Sequence, residues 1–227
     1  ISLLLYADDC VIISTPENMQ FLLDACTTYS HNLGFRWNAS KSIILTHPLA
    51  TDRFFLDSEP VPFADDFTYL GIPISSPFKI NPLQLIQKNS ARALQVARSL
   101  KAIGLTNLHF PPLFIKKLYN TFIRPCFEYG LAIACPNISQ HLPKLDSQQS
   151  QALNLLFGGH SRSSVKVLRH LLDIPSASTR HHILTFKYLN RLVQLLSDTL
   201  VQTLLPLFTK NTNKSFSHQW YKILKSS

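Results

Sequence analysis

A chain of 227 residues is long enough for one or two domains. Its 45% apolar content supplies a sizeable core and excludes disorder as the overall state. Lysine and arginine total 22 against 13 acidic residues, a formal net charge of +9, and no apolar run approaches the ~20 residues that cross a bilayer, which excludes a membrane span.

The charge is uneven. Residues 1–87 carry 4 basic and 9 acidic side chains, net −5, whereas residues 88–227 carry 18 and 4, net +14. Such a partition points to an acidic site joined to a basic, phosphate-facing part. A basic, solvated helical surface is the alternative. Cys10, Cys26, Cys126 and Cys135 show no CxxC spacing and are too sparse for a disulfide scaffold. The nine histidines pair with no cysteine at finger-like intervals, which speaks against structural zinc. These features predict a reducing, intracellular setting. The sequence opens at Ile1 directly on a strand-like segment that is not a signal peptide, and so reads as a piece cut from something longer.

In chain order, two apolar runs over 1–6 and 10–14 flank Ala7-Asp8-Asp9 and predict a hairpin. Ser14-Thr15-Pro16-Glu17 starts a helix, with Glu17 placed to reach back. Its inner face is Met19, Leu22, Leu23, Cys26, Tyr29 and Leu33, and Gly34 ends it. Strands are predicted at 35–38, 42–46, 53–56 and 67–74. The fold class is therefore α+β, an antiparallel sheet remnant with one packed helix, followed by an all-α region.

The character changes at Asn81-Pro82-Leu83-Gln84, a second helix start. That helix runs to about Lys101, with Gly104 after it. Leu83, Ile86, Ala93, Leu94, Ala97 and Leu100 gather on one side, and Lys88, Arg92, Arg98 and Lys101 on the opposite arc. Pro111 and Pro112 open a helical stretch through Ile123, which Pro125 breaks or kinks before a further segment at 128–134. Helices are expected at 139–157, 163–172, 176–198 and 199–208, then a polar tail over 210–227. The domain reading is 1–80, 81–135, 136–209 and the tail.

Asp8 and Asp9 are the sharpest chemical feature. Two adjacent carboxylates between buried strands repel one another unless a cation intervenes, and magnesium is the hard, oxygen-seeking ion that bridges to phosphates. A solvated Asp-Asp turn is the alternative. Asp65-Asp66 precedes a strand as an exposed turn and carries no catalytic reading. His181-His182 reads as a helix surface pair.

Tyr6-Ala7-Asp8-Asp9 resembles the YxDD signature of reverse transcriptases. Leu33-Gly34-Phe35-Arg36-Trp37-Asn38-Ala39-Ser40-Lys41-Ser42 resembles the G-[LF]-x-x-N-x-x-K-[ST] element of the same palm, and Phe67-Thr68-Tyr69-Leu70-Gly71-Ile72 the YLG segment that follows it. Order and spacing are similar to the non-LTR (LINE-type) retrotransposon branch. Pro125-Cys126-Phe127-Glu128-Tyr129-Gly130 resembles its P-x-x-E-Y-G stretch, and Leu171-Leu172-Asp173-Ile174-Pro175 followed by Arg180 its distal L-G-I-P…R pattern.

The resemblance implies a C-terminal palm (1–80), thumb-like helices (81–135) and a distal helical region (136–209) of an RNA-directed DNA polymerase. It implies two-magnesium nucleotidyl transfer, with Asp8 the main metal ligand of this motif and Asp9 a less direct one. Tyr6 and Ala7 would lie beside the primer end and incoming nucleotide. Lys41 would protonate or neutralise the leaving pyrophosphate, or is an ordinary turn lysine. Tyr69, Leu70 and Gly71 would seat the primer, or form a plain packed hairpin. Lys88, Arg92, Arg98 and Lys101 would meet the template–primer backbone. The implied partners are an RNA template, a DNA primer and deoxynucleoside triphosphates, with no membrane. The family also needs an upstream palm aspartate and fingers, so the 227 residues alone are expected to be inactive. The alternatives are a non-catalytic nucleic-acid-binding module from a decayed element and a helical protein-interaction domain.

Overall fold

The computed structural model describes residues 2–45, 53–76, 79–105, 110–133, 139–160, 163–195 and 197–199. The chain divides into two compact units between Ile80 and Asn81. Because 81–87 carry no charge, the −5 and +14 halves coincide with these units.

The first unit mixes one helix with short antiparallel strands. β1 (Ser2–Tyr6) and β2 (Asp9–Ile13) pair with Tyr6 opposite Asp9. Helix α1 (Pro16–Leu33) has a proline in its first turn, and Gly34 ends it at φ +74°, in the left-handed region where a side chain is strained. The inner line of α1 is buried at Leu23 and Ser30 and half-buried at Met19 and Cys26, whereas Tyr29 and Leu33, expected inside, are exposed. The difference lies in what α1 packs on. β3 (Phe55–Leu56) and β4 (Glu59–Pro60) form a hairpin beside it. The Gln20 amide both donates to Phe55 O at 3.0 Å and accepts from Phe55 N at 2.9 Å, and Thr27 Oγ1 accepts from Asp57 N at 3.1 Å. Leu23, Ala39, Ile44, Phe54, Leu56 and Val61 form the core there.

Three of the expected strands are corrected. Residues 35–38 are irregular, because Trp37 donates its indole N–H to Cys26 O at 2.9 Å and stacks edge-on with Phe35 at 5.2 Å, which ties the segment to α1. Within 42–46, Ile44 forms one isolated bridge with Phe63, and Thr46 lies outside the described residues. The segment at 67–74 is a hairpin: β5 (Asp66–Tyr69) pairs with β6 (Ile72–Ser75), and β7 (Lys79–Ile80) joins β6. The strands therefore form three small sheets among the described residues and not one palm-like sheet.

The second unit is helical. α2 (Pro82–Ala102) is capped by Asn81, whose side chain accepts from Gln84 N. Leu85, Ile86, Asn89, Ser90, Ala93, Leu94 and Ala97 are its buried positions, so Leu85 replaces Leu83 in the expected face. α3 (Pro112–Leu118) passes through a π-helical turn (Tyr119–Ile123) into α4 (Arg124–Glu128). Pro125 therefore does not break the chain's course. It lacks the N–H that an α-helix would aim four residues back, and the wider turn, with Arg124 N bonded to Tyr119 O, accommodates that loss. Residues 129–133 are turns, not the expected helix. α5 (Leu142–Phe157) ends at Gly158 (φ +69°), and α6 (Val165–Leu171) and α7 (Ala177–Val193) follow. The helix expected at 199–208 and the tail lie outside the described residues, Thr199 aside.

One core cluster runs through the described helices of this unit, from Ile86 to Ala177. Ile86, Ala93, Tyr119, Ile123, Phe127, Leu145 and Leu153 belong to a single cluster, which spans both 81–135 and 136–209. Its centre holds a polar residue. Gln149 donates to Tyr119 Oη at 2.8 Å and to Pro175 O at 2.9 Å, and accepts from Ala177 N at 2.9 Å. His181 is corrected from surface to core: it is 4% exposed, beside Thr185, while His182 stays outside.

Candidate metal and nucleic-acid sites

The β1–β2 register leaves a two-residue loop, Ala7-Asp8. Ala7 sits at φ +52°, a conformation that disfavours any side chain by about 1–2 kcal/mol. Tyr6 and Asp9 are paired and so share one face with Leu4 and Val11, while Leu3, Leu5, Cys10 and Ile12 take the other. Asp8 stands at the apex, and both carboxylates are exposed.

The hairpin is not the buried support expected for them. Leu3 is 55% and Leu5 68% exposed, and β1 pairs with β2 alone among the described residues. Exposure also changes the electrostatic argument. Two carboxylates 4 Å apart in water repel by about 1 kcal/mol, so repulsion alone does not call for an ion. What remains is donor chemistry. Asp8 and Asp9 are oxygen ligands of the kind magnesium takes, and neither forms an ion pair among the described residues. The pair matches the ion in donor type. Among the described residues no group of three or more His, Cys, Asp or Glu is placed to hold a metal.

Lys41 closes a 3-10 turn, Ala39–Lys41. Asn38 organises it, its Oδ1 accepting from Ser40 Oγ at 2.7 Å and Lys41 N at 3.1 Å. Ala39 is buried and Lys41 is exposed, so the turn presents the ammonium to solvent. Two residues of this segment have a local structural reason, Gly34 for its φ and Asn38 for the cap.

Tyr69, Leu70 and Gly71 form the tip of the β5–β6 hairpin. Leu70 (φ +47°) and Gly71 (φ +79°) are both left-handed, as a two-residue primed turn requires. Glycine suits its place and leucine does not. Tyr69 is half-buried. The Asp pair, Lys41 and this tip are thus presented by three separate hairpins or turns of the first unit.

In the second unit, Lys88, Arg92 and Arg98 are exposed on the side of α2 away from its buried positions, whereas Lys101, expected with them, is exposed in the last turn on the same side as buried Leu94 and Ala97. Asp65 and Asp66 are exposed, as expected.

Sequence reasoning missed the joining of two motif segments. Arg180 Nε donates to Glu128 Oε1 at 2.6 Å and its terminal nitrogen to Oε2 at 2.9 Å, a two-pronged pair between α7 and α4. This bonding and the Glu128 charge raise the Arg180 pKa above its ordinary value, against burial, which acts the other way. Arg124 adds a longer contact of 3.7 Å to the same carboxylate. Asn89 of α2 donates to Tyr129 O at 2.7 Å beside them. A charged residue in each of two distant motifs was the available signal.

Set against protein-family models, curated proteins and solved structures, the chain matches none.

Proposed function

We propose that this chain is palm and thumb sequence of an RNA-directed DNA polymerase of the non-LTR retrotransposon type. The observation that carries the reading is the hairpin apex: Asp8 stands in a two-residue loop beside an alanine held at φ +52°, and Asp9 follows it as the first residue of β2, paired with Tyr6, both carboxylates exposed. Strain at a non-glycine residue is found where position matters more than local stability. The folded Asn38–Lys41 turn and the Tyr69–Gly71 tip support it as discrete units that coincide with the second and third motif segments.

Asp8 would be the principal ligand of a magnesium ion and Asp9 a neighbouring one. A magnesium ion held there would supply activation of a primer hydroxyl and stabilisation of the charge on departing pyrophosphate. Tyr6 offers an exposed ring and hydroxyl beside the carboxylates, suited to stacking on the primer terminus. Lys41 carries the cation that would meet pyrophosphate, and α2 the cations that would follow the duplex backbone. The family's upstream aspartate would complete the ligand set.

The test is primer extension by this sequence joined to an upstream palm of the family. Asp8→Asn should abolish extension while leaving template–primer affinity within about two-fold. Extension surviving at a tenth or more of the parent rate would refute the metal role. On the 227 residues themselves, manganese should broaden the amide resonances of Ala7, Asp8 and Asp9 before others, and Asp8→Asn should remove that effect.

A further inference from the structure

A second group of cations stands on other helices of the second unit. α6, the loop after it and the first turn of α7 frame an open cleft of about 360 Å³, and α5 with α6 and the start of α7 frames an adjoining one of about 790 Å³; Lys166, Arg169 and Ser176 line both. The first turn of α7 is not itself available to a ligand. The N–H groups of Ala177, Ser178 and Thr179 are taken by Gln149 Oε1 at 2.9 Å, Asp146 Oδ1 at 3.0 Å and Ser176 Oγ at 3.0 Å.

The unspent donors are on α6. Arg169 Nε is buried and has no hydrogen-bond partner among the described residues. Neither Lys166 nor Arg169 forms an ion pair with a described carboxylate, although Asp146 and Asp173 also line the clefts. A buried guanidinium N–H without an acceptor is a standing demand for an oxygen, and the guanidinium fork matches two oxygens of a phosphate. His170 lines the smaller cleft and adds a further donor.

We infer that these clefts bind a phosphate ester through Arg169 and Lys166, presented either by a nucleic-acid backbone or by a free nucleotide. The inference stands apart from the polymerase reading, since it needs neither Asp8 nor a primer.

The test follows the Arg169 Nε–H resonance of the full chain during separate titrations with inorganic phosphate, adenosine monophosphate and a twelve-nucleotide single-stranded RNA. Movement with the RNA assigns a strand backbone. Movement with the mononucleotide or phosphate but not the RNA assigns a free ester. Arg169→Lys keeps the charge and loses the fork, and should weaken the responding ligand about ten-fold with thermal stability unchanged. A resonance unmoved by all three probes overturns the inference, whatever the Asp8 variant does to extension.

Discussion

His181 shows how much one side chain can change meaning with its surroundings. As half of an adjacent His-His pair it reads as surface, yet it lies in the buried row Ala177, His181, Thr185, Leu189, stepping by four along α7. The row was visible in the sequence. Two of its four members are polar, and that hid it. Burial, with the neighbouring His182 ring acting in the same direction, pushes the His181 pKa down to about 4. The folded chain therefore holds the neutral imidazole while the unfolded chain takes up a proton near pH 6.5. The stabilising contribution is complete above about pH 6.5 and is lost as pH falls to 4, with about 2 kcal/mol gone at pH 5 and about 3 kcal/mol below pH 4. Denaturant unfolding at pH 7 and pH 5 should show this drop, and His181→Asn should flatten it. An unchanged drop in the variant would place the acid sensitivity on other groups.

At the scale of elements, most helices and the first hairpin, β1–β2, were legible, and the later strands were not. Pro16, Asn81-Pro82 and Gly158 are local signals that act through backbone dihedrals and caps, so they need no tertiary context. The strands are two to five residues long, and their pairing depends on partners such as Gln20 and Trp37 that no period announces. Of the candidate site, the turn at Ala7-Asp8 was legible as punctuation, whereas the turn at Leu70-Gly71 lay inside an expected strand, and the left-handed alanine and leucine were not legible at either. The Glu128–Arg180 pair is the element-scale contact that the motifs foreshadowed without declaring. It joins residues 52 apart, with side chains 16% and 19% exposed, so water screens it little. A double-mutant cycle with Glu128→Gln and Arg180→Gln should give a coupling of about 1–3 kcal/mol, each single change costing more than the coupling because it leaves one partly buried charge unpaired. Additive single effects would show that the two motif segments are held together by packing alone.

For the whole molecule, charge and architecture divide at the same place. A first unit with net −5 carries the carboxylate apex, and a second with net +14 carries the exposed cations of α2. Net charge of that size predicts association with polyanions without saying how they are gripped. What distinguishes an organised backbone contact from diffuse attraction is how affinity responds to salt, because each neutralised phosphate releases a counterion. Lys88 and Arg92 lie four residues apart on one exposed side of α2, the spacing at which two side chains can follow one strand. Replacing both by alanine should lower affinity for an RNA–DNA duplex and reduce the slope of log affinity against log salt by about 2. The same titration on Lys79→Ala, a cation of the acidic unit, supplies the contrast, with a slope expected to stay within about 0.5 of the parent. If the α2 variant loses affinity but keeps its slope, those side chains act through the general field and the thumb reading of α2 fails. If slope and affinity fall together, the basic face is a register of phosphate contacts, and the acidic apex becomes the place to look for the chemistry done on the bound strand.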